Sequence, residues 1–370
     1  MAKKYIWCLL VVVFFGSCHV GRYVIYNFAN INDYKKFQNR EILNSGPAFQ
    51  FHEKATHNEF NKALMSSNFT NEIIFDSILD HSKTVAFLVI RNDSLLYEWY
   101  APKKEQATIF TSFSMAKSYV SAMIGIAINE GKIKSVNEPI TNYIKGFENP
   151  GFEKITIEHL LNMRTGIEYD ENYFSPFGNV AASYYGRNLD RHVAKLKVEK
   201  DPGESFGYIS VATQMLGMIL EEATSQTLSE YCEQKLWMPL GMEYPASWSV
   251  DRKKGSEKAF CCLNARARDY AKFGRLFLKE GNWQGTQLIS EQWIDKSIKK
   301  TKDSKDAFYA YQWWHDSRPD KNGRVNFFAQ GHLGQYTYMH PANNTIIVRL
   351  GKNHGGVNWI QLIRELNRAL

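Results

Sequence analysis

The alternation of apolar and polar positions predicts strands at both ends of the chain and helices between them. Residues 84–90 and 95–100 are strand-like runs, and the polar tetrapeptide 91–94 between them predicts a β-hairpin. Three further strand-like runs, separated by short turns, are residues 325–329, 335–340 and 345–350. Residues 140–250 have the pattern of helices and loops. Strands that flank a helical middle predict an α+β fold with a helical insertion.

Most of the predicted helices have one apolar face, but one of them is apolar on nearly all sides. Amphipathic spacing predicts helices at residues 157–163, 211–223, 265–279 and 361–370. Between Ser112 and Asn129 apolar residues fill several helix faces, and Lys117 is the only charged residue. This segment is predicted to be a buried helix. A buried ammonium is costly, so Lys117 needs either a partner or a chemical role.

Ser114 stands three residues before Lys117, and the pair has the Ser-x-x-Lys spacing of an activated serine nucleophile. Residues i and i+3 share one helix face, so the lysine can point at the serine hydroxyl. Burial lowers the pKa of a lysine by up to ~3–5 units, and the neutral amine can then take the proton of Ser114. The structural alternative is a serine N-cap followed by a lysine that extends to solvent.

The composition allows a large core and argues against several function classes. The chain has 370 residues, 44% of them hydrophobic and 14% aromatic, and its formal charge of +7 is spread over segments of mixed sign. The sequence has no basic stripe or nucleic-acid motif, so we expect no nucleic-acid partner. It has no Cys or His spacing of a zinc site and no Gly-rich phosphate loop, so we expect neither a metal nor another cofactor.

The amino terminus has the pattern of a targeting segment. Two lysines precede an apolar run at residues 5–15, which is about half of the ~20 residues that a spanning helix needs. Gly16-Ser17-Cys18 follows, and the pattern resembles a bacterial lipoprotein signal over residues 1–18, with Cys18 acylated. The alternative is an uncleaved anchor that continues to Ile25. Both interpretations place the body of the protein outside the cytoplasm and attach it to a membrane.

Two further cysteines are adjacent in the sequence. Cys261 and Cys262 follow one another, and adjacent cysteines rarely bond each other. We therefore expect them to be buried small residues at the end of a strand.

A second candidate patch is the Pro/Gly-rich loop that precedes the helix at Val211. Tyr208 and Ser210 are one strand step apart in this loop, so both side chains can face the same side. A phenol beside an ammonium can have a lowered pKa and carry protons. The alternative is an ordinary helix N-cap at Ser210 and a tyrosine that packs on the core.

The third candidate patch is the hexapeptide Gln-Gly-His-Leu-Gly-Gln at residues 330–335, between two predicted strands. Its two glycines would let a substrate approach an edge strand closely. The backbone N–H of Gln335 would then be free to bind an oxyanion. The alternative is a tight turn with His332 at the surface.

Three motifs, in this order, resemble those of the serine β-lactamase and penicillin-binding-protein superfamily. They are Ser114-x-x-Lys117, Tyr208-x-Ser210 and His332-Leu333-Gly334. The chain is most similar to class C β-lactamase-like hydrolases, including family VIII esterases and aminohexanoate-dimer hydrolases. Further segments similar to this family lie at residues 155–166, 202–208, 239–242 and 267–274. Three motifs in this order, joined by segments that also resemble the family, are specific to this superfamily.

The resemblance implies an antiparallel sheet with helices on both faces, a helical lobe, and the serine in the cleft between them. We accordingly assign residues 46–140 and 251–370 to an α/β lobe and residues 141–250 to the helical lobe. Residues 19–45 are polar and lack a clear period, so they are predicted to be a tether.

The resemblance also implies roles for individual residues. Ser114 would be the acylated nucleophile, and Lys117 and Tyr208 would share proton transfer. The backbone amides of Ser114 and Gln335 would form the oxyanion hole. The residues expected to contact substrate are Ser210, His332, Gly334 and Asn264. A helix N-cap is the open alternative for Asn264. The loops at residues 169–178 and 260–264 are the expected pocket walls.

Two departures from the lactamase pattern bear on the substrate. Ser210 replaces the asparagine usual in class C lactamases, and His332-Leu333 replaces Lys-Thr before the glycine. Both changes resemble the esterase and aminohexanoate-dimer hydrolase branch. Loss of the lysine removes a fixed cation that would pair with the carboxylate of a β-lactam or a peptide.

The sequence thus predicts an extracytoplasmic, lipid-anchored serine hydrolase that cleaves a small ester or amide through an acyl-enzyme on Ser114. One alternative is a D-amino-acid peptidase, transpeptidase or β-lactamase that acts on cell-wall-type peptides. The other is a non-catalytic penicillin-binding-like module. Intact Ser114, Lys117 and Tyr208 argue against this module, because a binding site does not need a lysine buried beside a serine.

Overall fold

Sheets of eight, four and two strands, together with the helices that pack around them, form the fold. The computed structural model describes residues 19–53, 58–66, 72–299, 308–316 and 324–370. The strands in these residues are β1 (Gln38–Ile42), β2 (His52–Glu53), β3 (Thr84–Arg91), β4 (Ser94–Tyr100), β5 (Phe110–Thr111), β6 (Ala246–Val250), β7 (Leu263–Ala265), β8 (Asn282–Trp283), β9 (Thr286–Gln287), β10 (Tyr309–Ala310), β11 (Trp313–His315), β12 (Phe327–Gly331), β13 (Gln335–His340) and β14 (Thr345–Gly351). The α-helices are α1 (His19–Tyr26), α2 (Asn58–Ser66), α3 (Glu72–His81), α4 (Ala116–Asn129), α5 (Ile157–Leu161), α6 (Asn179–Tyr185), α7 (Leu189–Ala194), α8 (Ser210–Thr224), α9 (Leu228–Cys232), α10 (Ala267–Leu278), α11 (Glu291–Ile298) and α12 (Trp359–Ala369).

The largest sheet contains the strands that the apolar runs predict. Its order is β10-β11-β12-β13-β14-β3-β4-β2, and neighbouring strands are antiparallel except for the parallel pair β2 and β4. β3 and β4 form the predicted hairpin, with Arg91 paired to Ser94. β12, β13 and β14 form a meander in which Gly331 pairs with Gln335. The sheet confirms the predicted α+β fold with an antiparallel core.

Helices cover both faces of this sheet, because its central strands are apolar on both sides. All residues of β14 are buried, and so are all residues of β3 except the last. On one face α10 packs against β13 and β14 within the largest core cluster. On the other face α2, α3 and α12 cover β3 and β4, and Phe87 of β3 contacts Phe75 and Trp359. Burial on two faces explains why β3 is a continuous apolar run.

The apolar helix around Lys117 is buried, as predicted. Ser114 lies in a 3₁₀ turn, Phe113–Met115, and α4 continues directly from this turn to Asn129. Residues 116–127 are all buried, and α4 packs against α8. The 3₁₀ turn itself packs against β12 and β13. The first turn of the helix is therefore held between the large sheet and the helical region.

The structure differs from the predicted tether at residues 19–45. α1 packs against α6, and β1 pairs with β6 along its whole length in the four-stranded sheet β1-β6-β7-β5. Tyr23 is buried against Tyr185, and Phe37 is buried against Tyr184. The elements of this segment are short and bury isolated aromatic rings, so they leave no hydrophobic period in the sequence. The segment is part of the folded domain.

The predicted lipoprotein signal, residues 1–18 with Cys18, lies outside the described residues and stays a prediction. Within the part of the chain that the structure describes, no helix combines the length and the apolar content that a membrane span requires. The predicted boundaries between the two lobes also stay predictions.

Candidate active site

Ser114 sits where α4, β7 and β12 meet, and it is half-buried. The preceding residue, Phe113, has a φ of +46°, a left-handed conformation that is costly for a bulky side chain. The N–H of Ser112 donates to the backbone oxygen of Leu263 at 2.9 Å, which ties the turn to β7. Gly331 of β12 approaches so closely that a Cβ there would lie 2.3 Å from the backbone oxygen of Ser112. Backbone contacts thus fix the position of Ser114.

Lys117 is buried and directs its Nζ at Ser114. Nζ lies 3.0 Å from Ser114 Oγ, 2.8 Å from the backbone oxygen of Phe260 and 3.3 Å from Ser210 Oγ. Only 1% of the residue is exposed, so the alternative of a lysine that extends to solvent is wrong. Burial lowers the pKa of Lys117 to about 8, although the negative charge of Glu171 opposes the shift. A useful fraction of neutral amine is therefore present near neutral pH, as a proton acceptor requires.

Glu171, which belongs to none of the three sequence motifs, completes the polar cluster. Its carboxylate accepts the N–H of Ser210 at 2.7 Å and the Ser210 hydroxyl at 2.5 Å. The Tyr173 hydroxyl donates to the same carboxylate at 2.8 Å. The carboxylate lies at the amino end of α8, where the helix dipole favours negative charge. Glu171 thus fixes the Ser210 hydroxyl beside Lys117. Its place in the predicted wall loop at residues 169–178 was the only signal for it in the sequence.

Tyr208 lies beside the ammonium, but its pKa is raised and not lowered as predicted. Lys117 Nζ is 5.3 Å from the centroid of the Tyr208 ring. Burial raises the pKa of the Tyr208 phenol, a hydrogen bond with Ser114 opposes this shift, and the negative charge of Glu171 adds to it. The predicted lowering is wrong because desolvation of a phenolate outweighs the stabilising contacts. A phenol that stays protonated is suited to donate a proton to a leaving group.

The His332 side chain is packed between aromatic rings at the edge of the site. It stacks on Tyr173 with 4.9 Å between ring centroids and meets Phe113 edge-on at 5.6 Å. Burial lowers the pKa of His332, and the neighbouring His354 adds to this shift. The ring is therefore neutral at physiological pH and is not the fully exposed residue of a simple surface turn.

Arg349 and the Gln335 side chain fix this turn from behind. The guanidinium donates to the backbone oxygens of Leu333 at 3.1 Å and Gly334 at 2.6 Å. Gln335 Nε2 donates to the backbone oxygen of His332 at 2.9 Å. These contacts hold the start of β13 in one conformation. The oxyanion-binding role of the Gln335 amide stays a prediction.

The two glycines of the turn make room for protein atoms. β12 lies between β11 and β13, but β11 pairs only with Phe327 and Phe328, so among the described residues the Gly331 end of β12 has no strand partner on that side. A Cβ at Gly331 would clash with the backbone of Ser112, and a Cβ at Gly334 would lie 2.3 Å from Arg349 Nη1. The glycines are therefore needed for close packing within the fold. A contact between Gly334 and substrate stays a prediction.

Asn264 belongs to a buried network beside the site and does not line the cavity. Its Nδ2 donates to Asn39 Oδ1 at 3.1 Å and to Ser249 Oγ at 3.2 Å, and its Oδ1 accepts the Thr111 hydroxyl at 2.8 Å. The residue lies in β7, and the N-cap of the following helix is Arg266. The structure therefore corrects both the predicted substrate contact and the N-cap alternative, because protein partners occupy the amide.

Cys261 and Cys262 are joined by a disulfide, so the expectation that these neighbours do not bond is wrong. Cys262 has a φ of +68°, an unusual backbone conformation that the sequence does not reveal. The pair directly follows Phe260, whose carbonyl accepts the hydrogen bond from Lys117. The backbone oxygen of Cys261 accepts the indole N–H of Trp248 at 2.7 Å. The disulfide thus stiffens the segment that holds the ammonium.

A cavity of about 170 Å³ opens beside Ser114. The two predicted wall loops contribute to it through Tyr173 and Cys261, and α6 contributes Ala181. Among the described residues that line it, none is Asp, Glu, Lys or Arg. The nucleophile candidate therefore faces an apolar, uncharged recess.

Comparison with known families identifies the chain. The family described as Beta-lactamase matches residues 74–358, which contain all three sequence motifs. The chain belongs to the beta-lactamase family. The resemblance and the class of enzyme predicted from the sequence, a serine hydrolase, are confirmed.

Relatives of this beta-lactamase-family hydrolase include enzymes and proteins of known structure. It is 26% identical over 294 residues to a 6-aminohexanoate-dimer hydrolase of Paenarthrobacter ureafaciens, covering 74% of this chain and 73% of that one. A Bacillus anthracis protein provisionally assigned as a 6-aminohexanoate-dimer hydrolase has a similar structure, with a TM-score of 0.75, 24% identity and 94% of both chains covered. For a penicillin binding protein of Bacillus halodurans the TM-score is 0.62 at 18% identity, with 78% of this chain and 98% of that one covered. The structural matches support the fold.

We expect the pH dependence of this beta-lactamase-family hydrolase to report the Lys117 amine. Only the neutral amine can accept the Ser114 proton, so kcat/KM for an ester should rise with pH through about 8 and level off above that value. Because Glu171 raises the pKa of Lys117, Glu171→Gln should move the rising limb to lower pH. The measurement is a pH–rate profile of both proteins.

Lys117→Arg is the control for this experiment. Arginine stays charged and cannot accept the proton, so kcat/KM should fall by about 10²–10⁴-fold at every pH. Two results would contradict the role of Lys117 as the proton acceptor. One is a rising part of the pH–rate profile that stays at the same pH in Glu171→Gln. The other is a Lys117→Arg variant that keeps more than about a tenth of the wild-type rate.

Proposed function

We propose that this protein hydrolyses small, uncharged esters or amides through an acyl-enzyme on Ser114. The observation that carries the proposal is the 3.0 Å contact between Lys117 Nζ and Ser114 Oγ at the edge of an uncharged cavity. A serine hydroxyl needs a nearby base to become a nucleophile, and a lysine with a lowered pKa is such a base.

The proposed reaction has two steps. The Lys117 amine takes the proton of Ser114, and Ser114 Oγ attacks the substrate carbonyl to form a tetrahedral oxyanion, which the Ser114 and Gln335 amides would bind. The ammonium or the Tyr208 phenol then protonates the leaving alcohol or amine, and its bond to the carbonyl breaks. The group that gave up its proton then deprotonates a water, which attacks the ester carbonyl on Ser114. The bond between that carbonyl and Ser114 Oγ breaks, Oγ takes the proton back from the same group, and the acid is released.

The charge of the site supports an uncharged substrate. Its described lining has no Lys or Arg, and burial of an unpaired carboxylate in such a recess would be costly. His332 occupies the position of the lactamase lysine, and its lowered pKa leaves it neutral. The relative from Paenarthrobacter ureafaciens, a hydrolase of the 6-aminohexanoate dimer, also supports a substrate other than a β-lactam.

The first test is the identity of the nucleophile. An alkyl fluorophosphonate should label Ser114 alone, because the hydroxyl of Ser210, which also contacts the amine and lines the cavity, donates to the Glu171 carboxylate. Ser114→Ala should lose the labelling and at least about 10³-fold in kcat. Ser118→Ala is the matched control on the same helix and should keep the labelling. Mass spectrometry that finds the adduct on Ser112, Ser118 or Ser210 would contradict the proposal.

The second test concerns the substrate class. We expect kcat/KM for p-nitrophenyl butyrate to exceed that for a cephalosporin, since a neutral His332 cannot pair with the cephalosporin carboxylate. His332→Lys should shift the ratio toward the cephalosporin by about tenfold, because it adds a fixed charge. His332→Gln, which adds no charge, should leave the ratio near the wild-type value. A wild-type enzyme that already prefers the cephalosporin would indicate a β-lactamase instead.

We also propose that the protein is held outside the cytoplasm by lipid on Cys18. The apolar run that ends in Gly16-Ser17-Cys18 supports this location, and so does the disulfide between Cys261 and Cys262, since disulfides persist in oxidising compartments. Cys18→Ser should move the protein from the membrane fraction to the soluble fraction, while Cys8→Ser, in the same apolar run, should not. Membrane association of Cys18→Ser that resists a carbonate wash would indicate an uncleaved helix.

A further inference from the structure

One wall of the cavity beside Ser114 comes from the amino-terminal segment of the chain. Tyr23 of α1 and the following Phe28 and Ala29 line the cavity, although they are more than 80 residues before Ser114. The other lining residues belong to the Ser114 turn, the two wall loops, α6, the first residue of α8 and the His332 turn. Without residues 19–31 the cavity would be open on that side.

Specific contacts hold this wall in place. The Tyr23 hydroxyl donates to the backbone oxygen of Phe174 at 3.2 Å, and the Tyr185 hydroxyl donates to the backbone oxygen of Asn27 at 2.7 Å. The Tyr23 ring meets Tyr185 edge-on at 5.2 Å, and Phe28 meets Phe174 at 5.9 Å. Hydrogen bonds and ring contacts therefore hold residues 23–28 against the other walls of the cavity.

The charges near the wall are directed away from the cavity. Lys258 is buried behind it, donates to the backbone oxygen of Tyr184 at 2.6 Å, and lies 3.1 Å from the centroid of the Phe37 ring. Arg22 of α1 is 91% buried and donates to the backbone oxygen of Gly186 at 3.4 Å. Neither residue lines the cavity. The surface that meets a ligand is thus aromatic and aliphatic.

The size of the cavity limits the group that it can hold. Its volume of about 170 Å³ is close to that of an apolar protein cavity of about 150 Å³ that binds benzene. A linear chain of about four to six carbons or one small ring fills such a space. Each buried methylene contributes enough transfer free energy to favour binding by roughly fourfold.

The recess suits the part of the substrate that stays on Ser114. During turnover the acyl group remains bonded to Oγ until water releases it, whereas the alcohol or amine must leave first. A recess lined by protein on several sides, residues 23–29 among them, can hold the acyl chain through both steps. We infer that residues 19–31 form the wall of an acyl pocket that selects uncharged acyl groups of about four to six carbons. This inference rests on the proposed esterase or amidase function.

The test compares p-nitrophenyl acetate, butyrate, hexanoate and octanoate as substrates of the full chain. In the wild type kcat/KM should rise by roughly fourfold per methylene up to hexanoate and then fall. Ala29→Leu fills the pocket and should lower kcat/KM for hexanoate about tenfold relative to acetate. Tyr23→Ala enlarges the pocket and should raise kcat/KM for octanoate relative to kcat/KM for hexanoate. Val24→Ala is the matched control, because Val24 lies on the same helix, is 72% exposed and does not line the cavity.

A second measurement does not depend on turnover. The rates at which ethyl and hexyl fluorophosphonates label Ser114 should show the same chain-length preference and the same shifts in the two variants. Variants that stay active with the wild-type preference in both measurements would overturn the acyl pocket while the proposed function stands. In a series of alkyl acetates the alcohol chain varies and the acyl group does not. A chain-length preference in kcat/KM that is found only in this series would also overturn the acyl pocket. Absence of labelling and of ester hydrolysis in the wild type would instead overturn the proposed function, and the acyl pocket with it.

Discussion

The burial of one ammonium group is the constraint on which the active site depends. The hydrogen-bond partners described for Lys117 are neutral oxygens, those of Ser114, Ser210 and the Phe260 carbonyl. They satisfy its N–H donors but stabilise the positive charge less than a carboxylate in direct contact would. Glu171 acts from behind Ser210, so it limits the fall of the pKa without forming an ion pair with the amine. The amine therefore stays close to the protonation balance that a general base needs.

The rest of the fold shields the Lys117 ammonium from solvent and holds its hydrogen-bond partners in place. The sheet provides β12, whose glycine allows the backbone before Ser114 to pack against it. The disulfide at residues 261–262 stiffens the chain beside the Phe260 carbonyl. Arg349 supports the turn that carries His332. These contacts are among backbone atoms and buried side chains, which are hard to displace, so the geometry is set before a substrate binds.

The same architecture can serve different substrates because the side chains that line the cavity, and not the scaffold, determine what it binds. The scaffold of the beta-lactamase family is present, yet the described cavity lining has no Lys or Arg, and a half-buried neutral histidine stands where lactamases have a lysine. The amino-terminal segment adds an aromatic wall over the recess. Polarity and shape at the cavity, rather than the nucleophile and its base, therefore separate the possible activities.

The sequence by itself determined the elements and residues that depend on local pattern. The hairpin, the meander and the buried helix follow from hydrophobic period, and Ser114 and Lys117 share a helix face because of their spacing. Only the tertiary structure decided the features that depend on neighbours distant in sequence. These are the carboxylate of Glu171 on Ser210, the raised pKa of Tyr208, the network around Asn264, the bonded cysteines and the docked segment at residues 19–45. Burial and long-range contacts set these properties, and neither leaves a periodic signal along the chain.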